Sequence, residues 1–171
     1  MITFKVEPLA SAHVQAISQA FAAVGWPGKG ADLYRRYLGE QDHGTRTGLV
    51  AVDGMQILGY VTVLWRSRYR PFCDAAIPEI SDLNVLPQFR RHGVGTALMN
   101  AAESLVAARS SSVGLGVGLY ADYGPAHLMY LRRGYLPDGR GIAYEFTPAA
   151  PGSTVRVDDD LTLMMTRVLP G

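Results

Sequence analysis

The chain has 171 residues and a formal net charge of +1, with 48% hydrophobic and 18% charged residues. This balance predicts a globular protein with a genuine core, and it excludes a disordered chain or a global charge that would recruit nucleic acid or an anionic membrane. Cys73 is the only cysteine, so no intrachain disulfide can form and a reducing compartment is expected. The sequence shows neither the apolar run of a signal peptide nor the roughly 18 apolar residues of a membrane span, which predicts a cytoplasmic protein.

The hydrophobic patterns predict a mixed α/β (α+β) fold in a single domain over residues 1–171. Four segments have a helical pattern, at 11–25, 31–41, 94–108 and 125–133. Seven segments have a strand pattern, at 2–9, on either side of Asp53-Gly54 within 47–65, and at 77–86, 113–120, 141–146 and 161–169. Asp-Gly between apolar runs is typical of a tight hairpin. Segment 66–76 and the segment 147–154 are predicted to be irregular.

The boundary between the strand at 77–86 and the next helix carries an unusual set of side chains. Arg90, Arg91, His92, Gly93, Val94 and Gly95 follow one another there, ahead of an alanine-rich helix. The first turn of a helix has unpaired N–H groups and partial positive charge, and glycine lets an anion approach that backbone closely. The pattern therefore predicts either a phosphate or pyrophosphate site, or a tight turn with solvated arginines.

Two other phosphate-binding patterns fit less well. The P-loop pattern, which ends in Gly-Lys-Ser/Thr, does not occur in the chain. A dinucleotide loop would need glycine or alanine where Leu98 stands. Gly116, Gly118 and Ala121 do match the dinucleotide pattern, but these glycines fall inside a predicted strand and not at its junction with a helix. We interpret this second match as accidental.

Two motifs resemble those of the GCN5-related N-acetyltransferase (GNAT) superfamily. The signature Gln/Arg-x-x-Gly-x-Gly/Ala is present as Arg90-Arg-His-Gly93-Val-Gly95, after a strand and before a helix. A second run, similar to Ala-x-x-x-Tyr-x-x-x-Gly-Phe, is present as residues 126–135, with Tyr130 at its centre. The similarity covers roughly residues 77–136. It implies a GNAT-like domain with a mostly antiparallel twisted sheet of six to seven strands and about four helices.

The resemblance implies acetyl-CoA as co-substrate. Its pyrophosphate is expected on the backbone of residues 90–96, which are Arg90, Arg91, His92, Gly93, Val94, Gly95 and Thr96. Its pantetheine arm is expected to pair with the strand at Leu83, Asn84 and Val85. The family often has asparagine three residues before the alanine of the second motif, where Tyr123 stands here. A main-chain contact in place of the asparagine contact, or a slightly different cofactor path, would explain this departure.

The resemblance also implies catalytic residues. Tyr130 stands at the usual position of the proton or hydrogen-bond donor to the departing thiolate, and helix packing is its alternative role. Glu79, six residues before Val85, matches the general base of the histone-acetylating branch. Asp82 is the alternative base. It faces the opposite side of a regular strand, unless a bulge disturbs the alternation. Both carboxylates are also candidates for structural ion pairs.

These observations lead to an N-acetyltransferase that moves an acetyl group to a small-molecule or peptide amine by direct attack in a ternary complex. The alternative is a catalytically silent acyl-CoA-binding or regulatory module on the same fold, which would need neither Tyr130 nor Glu79. A nicotinamide-dependent oxidoreductase that uses Gly116 is a weaker rival. The four histidines have no metal-ligand spacing, so no metal site is expected. A homodimer is compatible with the sequence, which has no feature that decides the oligomeric state or the acceptor.

Overall fold

The structure is a computed structural model that describes residues 2–170. In chain order its elements are β1 (Lys5–Pro8), α1 (Val14–Ala23), α2 (Ala31–Asp42), β2 (Arg46–Asp53), β3 (Gln56–Leu64), α3 (Arg70–Asp74), β4 (Glu79–Val85), α4 (Val94–Ala107), β5 (Ser112–Gly118), α5 (Gly124–Arg132), β6 (Leu136–Tyr144), β7 (Thr147–Pro148) and β8 (Leu161–Val168). Short 3₁₀ turns occur at Ser11–His13, Pro87–Phe89 and Ala121–Tyr123. The predicted mixed α/β class is confirmed.

The described residues form two compact units, each built from two separate pieces of the chain. The first unit runs up to Trp65 and includes Ile80–Leu105, and the second consists of Arg66–Glu79 and the residues from Val106 onward. Residues 90–95 therefore belong to the first unit, and residues 126–135 to the second. The single domain expected over residues 1–171 stays a prediction.

The first unit contains the strand order β1-β2-β3-β4. β1 pairs with β2, and β2 with β3, in antiparallel register, and the β2–β3 hairpin turns at Asp53-Gly54 as predicted. Strand β3 is buried along almost its whole length, as its apolar run requires. Side chains from β3, α1 and α2 pack together in an aromatic core. In this core Phe21, Tyr34 and Tyr60 are almost completely buried.

The second unit contains the strand order β5-β8-β6-β7, and the pairs β5–β8, β8–β6 and β6–β7 are antiparallel. Its core cluster includes Tyr69, Phe72 and Met164. Gly114 in β5 faces the ring of Phe72, since a Cβ at this glycine would lie 2.3 Å from that ring. Part of the glycine content of β5 thus serves close packing against an aromatic side chain.

Two elements were not predicted. The segment 66–76 contains the short helix α3, where Pro71 occupies the first turn and removes an N–H that would have no partner there. The segment 147–154 contributes the two-residue strand β7. Both are too short for a hydrophobic period to reveal them. The structure accordingly has eight strands and five α-helices within residues 2–170, against six to seven and four expected.

Candidate active site

The turn from Arg90 to Gly95 joins the 3₁₀ turn after β4 to helix α4. Residues 90–93 are exposed, and α4 begins at Val94, where the sequence predicts it. The N–H of Ala97 donates the first helical hydrogen bond, to the Gly93 carbonyl at 2.9 Å. The N–H groups before Ala97 therefore lie at the open N-terminal end of a 14-residue helix, where an anion is stabilised by the helix dipole.

Left-handed backbone shapes this turn at two positions. Arg91 has φ 62° and Gly93 has φ 83°. A Cβ built on Gly93 would meet no heavy atom within 4 Å, whereas one on Gly95 would lie 3.6 Å from Cγ2 of Val85. Glycine is thus needed at position 93 because of the left-handed backbone angle, and not because a side chain would clash with the rest of the protein. The space over Gly93 leaves the turn accessible to a bulky anion, which fits a pyrophosphate.

Side chains of the turn brace it against the preceding strand. Arg90 Nε donates to the Val85 carbonyl at 3.3 Å, and its guanidinium lies 5.5 Å from the ring centroid of Trp26. His92 Nδ1 donates to the Arg90 carbonyl at 2.7 Å. Arg90 and His92 therefore hold the turn in place, and the exposed Arg90 guanidinium lies beside the N-terminus of α4.

The C-terminal half of β4 brings the second predicted group of cofactor residues next to this turn. Leu83, Asn84 and Val85 are only half-buried. Asp82 has φ 56°, which disturbs the side-chain alternation here, as a bulge does. Gly59 of β3 permits the close approach of this segment, because a Cβ there would lie 2.5 Å from the Asn84 carbonyl oxygen. The half-buried strand end and the Arg90–Gly95 turn both belong to the first unit.

Glu79, the predicted base, begins β4 in a buried position and is only 4% exposed. Its Oε2 accepts a short hydrogen bond from the Ser67 hydroxyl. The same hydroxyl accepts the Tyr69 N–H at 3.0 Å. Ser67 and the backbone of Tyr69 therefore fix the orientation of the Glu79 carboxyl group.

Asp82, the alternative base, lies in an unrelated environment. Its Oδ1 accepts from Lys29 Nζ at 2.5 Å and from Asn84 Nδ2 at 2.7 Å. Its Oδ2 accepts from the hydroxyls of Tyr60 at 2.7 Å and Tyr37 at 2.8 Å. We refer to Lys29, Tyr37, Tyr60, Asp82 and Asn84 as the Asp82 cluster.

The surroundings of Asp82 change its acidity in opposing ways. Burial acts to raise the pKa of its carboxyl group, but the Lys29 ammonium and the hydrogen bonds from Lys29, Tyr60 and Tyr37 outweigh burial and leave that pKa below its usual value. A carboxylate with a lowered pKa is a weak proton acceptor at neutral pH. The Asp82 carboxylate is therefore held as the charged partner of Lys29.

Tyr130 lies in α5 and is 7% exposed. The helix ends at Arg132, and Gly134 follows with φ 87°, as in a glycine C-cap. The N–H of Tyr135 donates to the Tyr130 carbonyl at 3.0 Å, and the two rings lie 5.9 Å apart in an edge-on arrangement. Burial raises the pKa of Tyr130 to about 12, so its hydroxyl keeps its proton at neutral pH and can act as a donor.

Tyr123, at the position where the family often has asparagine, has a defined structural role. Its ring covers Gly118, where a Cβ would lie 2.4 Å from the ring. Its hydroxyl donates to Asp159 Oδ1 at 2.8 Å, an atom that also accepts from the hydroxyl of Tyr120. Gly118 therefore leaves the space that the Tyr123 ring fills. The Tyr123 hydroxyl forms its hydrogen bond within the second unit.

A protein-family comparison decides the family of the chain. Residues 12–135 match the model of the Acetyltransferase (GNAT) family, which is well over half of the chain. The chain belongs to the GNAT family. The resemblance inferred from the two motifs is thereby confirmed, and so is the assignment to the acetyltransferases.

Solved structures with the same fold include several GNAT enzymes. Ard1 from Thermoplasma volcanium superimposes with a TM-score of 0.71 at 18% identity, over 98% of this chain and 99% of that one. NAA60 from Arabidopsis thaliana, solved in complex with acetyl-CoA, gives 0.71 at 16% identity, over 99% and 100%. An aminoglycoside 6'-N-acetyltransferase, complexed with coenzyme A, gives 0.65 at 17% identity, over 98% of both chains. No protein of curated function matches the sequence.

Sequence reasoning missed the partners of Asp82 in this GNAT protein. Lys29, Tyr37 and Tyr60 come from a loop, a helix and a strand that the chain order does not bring together. The chain has 14 arginines but only two lysines, Lys5 and Lys29, and neither this count nor the local pattern predicts that Lys29 contacts Asp82. Within residues 2–170 no group of three or more His, Cys, Asp or Glu side chains has an arrangement that would bind a metal ion. In that same range no helix has the length and apolar character needed to cross a membrane.

Proposed function

We propose that this protein transfers the acetyl group of acetyl-CoA to an amine, as one domain over residues 1–171 and in the cytoplasm. The observation that carries the proposal is the Arg90–Gly95 turn at the start of α4, exposed over residues 90–93, in a chain of the GNAT family. Unpaired N–H groups, open space over Gly93 and two arginines provide what a pyrophosphate needs. The complexes of NAA60 with acetyl-CoA and of the aminoglycoside enzyme with coenzyme A support the choice of cofactor.

The cofactor residues in the proposal are those of the turn and of the half-buried strand end. They are Leu83, Asn84, Val85, Arg90, Arg91, His92, Gly93, Val94, Gly95 and Thr96. The backbone of residues 90–96 holds the pyrophosphate, and the strand at 83–85 pairs with the pantetheine arm. Partial exposure of these strand residues supports this role, because a fully covered strand would offer no backbone to a ligand.

The reaction is a direct attack of the acceptor amine on the thioester carbonyl in a ternary complex. An alkylamine with a pKa of about 10.4 is almost wholly protonated at neutral pH, so a proton must leave before or during attack. Glu79 accepts that proton, and its bond to Ser67 orients the carboxyl group. The C–N bond forms, the C–S bond breaks, and the Tyr130 hydroxyl donates to the departing thiolate. Burial keeps the Tyr130 proton in place for this step.

The first experiment is calorimetric titration of the purified protein with acetyl-CoA, with NADH as the control ligand. Saturable binding of acetyl-CoA alone is expected, and a folded, ligand-free sample that binds none would contradict the proposal. Release of the free CoA thiol is then measured over an amine panel. The panel includes a peptide with N-terminal serine and an aminoglycoside, since the solved neighbours include enzymes for both kinds of acceptor. Binding without thiol release would instead favour the silent acyl-CoA-binding module.

The variant Tyr130→Phe tests the catalytic role of the second motif. We expect kcat to fall by roughly 10²-fold while acetyl-CoA affinity changes little, because only the donor to the thiolate is lost. Tyr144→Phe is the matched control, since it removes a tyrosine hydroxyl that donates to Asp158 at 3.1 Å outside the motif. If both variants kept the wild-type kcat, Tyr130 would have no part in the mechanism.

A further inference from the structure

The environment of Lys29 distinguishes it from the other lysine of the chain. Its ammonium group contacts Asp82 Oδ1 at 2.5 Å and the Tyr60 hydroxyl at 2.9 Å, and lies 5.5 Å from the ring centroid of Tyr60. Lys5, by contrast, is 70% exposed and pairs with Glu7 on the surface. A carboxylate combined with aromatic rings and hydroxyl groups is the chemistry by which proteins recognise an ammonium group.

The Asp82 cluster is organised around the carboxylate and does not depend on Lys29 alone. Tyr37, Tyr60 and Asn84 all donate to Asp82, so three hydrogen bonds fix the carboxylate without the lysine. Asp82 itself adopts φ 56° inside a strand, a conformation that costs a non-glycine residue of the order of 1–3 kcal/mol. A backbone conformation of this kind persists where the surrounding structure enforces it, and such positions concentrate at binding and catalytic sites.

The position of Lys29 allows it to leave the cluster. It lies in the loop between α1 and α2, flanked by Gly28 and Gly30, and a Cβ on either glycine would meet no heavy atom within 4 Å. Trp26 anchors the beginning of this loop against the aromatic core of the first unit. The side chains of Lys29 and Asp82 are 19% and 18% exposed, so the ion pair is reached from solvent.

We propose that the Asp82 cluster binds an ammonium group of the acceptor other than the amine whose proton Glu79 accepts, and that Lys29 is a built-in occupant which this primary ammonium group displaces. This inference rests on the proposed transfer of an acetyl group to an amine. The ligand class is a primary alkylammonium ion, because the Asp82 carboxylate and the Tyr60 hydroxyl take N–H donors in line. A quaternary ammonium ion has no such donor. Lys29 thus lowers the apparent affinity for weak amines and selects acceptors that compete with it.

The test uses n-butylammonium chloride as the probe and tetramethylammonium chloride as the control ion. Binding is measured calorimetrically for the wild-type protein, Lys29→Met and the matched control Lys5→Met. If Lys29 occupies the cluster for 90% of the time or more, its removal should tighten butylammonium binding at least about tenfold. Lys5→Met should bind as the wild type does, and tetramethylammonium should bind no variant more tightly. The double variant Lys29→Met, Asp82→Asn should lose the gain.

A second measurement avoids any change to the cluster. With only two lysines, the side-chain ammonium signals in NMR spectra of the wild-type protein are assigned with Lys5→Met alone. Displacement predicts that butylammonium moves the Lys29 signal towards that of an exposed lysine such as Lys5. An unmoved signal at saturating probe, or a folded Lys29→Met protein that binds butylammonium no more tightly, overturns the inference. Acetyl-CoA titrations of the same samples report separately on the proposed function, so that its failure is not mistaken for failure of the Lys29 displacement.

Discussion

The Arg90–Gly95 turn and the Asp82 cluster both belong to the first unit but are built on different principles. The turn consists of consecutive residues, is exposed, and derives its chemistry from backbone N–H groups and the end of α4. The cluster collects side chains from a loop, α2, β3 and β4 around one carboxylate. The turn therefore depends on backbone conformation, whereas the cluster depends on the charge balance between distant residues. Mutations should therefore separate the two.

The largest effect is expected in the turn, from Gly93→Val. With φ 83° at this position, a β-branched side chain would force the turn out of shape and also fill the open space over it. We expect acetyl-CoA affinity to fall by about 10²-fold or more, a loss of roughly 2.7 kcal/mol in binding free energy. Calorimetric titration measures the change.

Gly95→Ala is the matched variant for this prediction. Its Cβ would make only an ordinary contact, 3.6 Å from Cγ2 of Val85, and its backbone angle is not left-handed. Alanine is also the better helix former. Acetyl-CoA affinity and the free energy of unfolding should therefore stay close to wild type. Equal losses in Gly93→Val and Gly95→Ala would mean that the turn responds to bulk alone and not to its backbone angle.

The next largest effect is expected in the Asp82 cluster, where Asp82→Asn should lower the free energy of unfolding. It removes the carboxylate and leaves the Lys29 ammonium, only 19% exposed, without its counter-charge. We expect the free energy of unfolding at pH 7 to fall by about 2–3 kcal/mol, somewhat below the cost for a fully buried pair. Because the pKa of Asp82 is lowered in the folded state, its contribution is present above pH 4 and declines as the pH falls below that.

Urea unfolding of wild type and Asp82→Asn between pH 3 and pH 7 measures this difference. The gap between the two proteins should be widest at pH 7 and should narrow towards pH 3. Asp32→Asn is a suitable control, because Asp32 is an exposed residue of α2 whose pair with Arg35 lies on the surface. A gap that did not depend on pH would show that Asp82 acts through packing and not through its charge.

The same contrast explains what the sequence could predict. The start of α4 at Val94, the hairpin at Asp53-Gly54 and the position of Tyr130 follow from local patterns of glycine, apolar period and capping. The cofactor residues proposed for the turn are consecutive, so one motif names them all. The short helix α3 and the strand β7 fall below the length at which a period can be recognised.

The Asp82 cluster was beyond sequence reasoning for a different reason. Lys29 and Asp82 are separated by 53 positions, and nothing in either local pattern predicts their contact. The spacing of Asp82 along β4 made it a candidate base or a member of a structural ion pair, but the sequence did not reveal Lys29 as its partner. Asp82 has a left-handed φ of 56°, and β3 approaches the next residues of β4 closely at Gly59, and both are tertiary features. The tertiary fold alone brings such distant charges together.

The smallest expected effect is on the free energy of unfolding at alkaline pH, where Tyr130 is compared with the tyrosines of the Asp82 cluster. Burial alone raises the pKa of Tyr130 to about 12, whereas for Tyr60 and Tyr37 burial and the charge of Asp82 act together to raise the pKa. A tyrosine in the unfolded chain loses its proton near pH 10, so the stability due to a raised pKa is complete below pH 10 and declines from there to about pH 12 for Tyr130.

Each such tyrosine should lower the free energy of unfolding by about 1.4 kcal/mol for every pH unit above 10. Tyr130→Phe should therefore lose stability less steeply than wild type between pH 10 and pH 11, as measured by urea unfolding.

Asp82→Asn should lower the pKa of Tyr60 and Tyr37, as followed by tyrosinate absorbance, and leave that of Tyr130 unchanged. A shift of the Tyr130 pKa together with those of Tyr60 and Tyr37 would contradict this prediction, because burial would then not be the cause of the raised Tyr130 pKa.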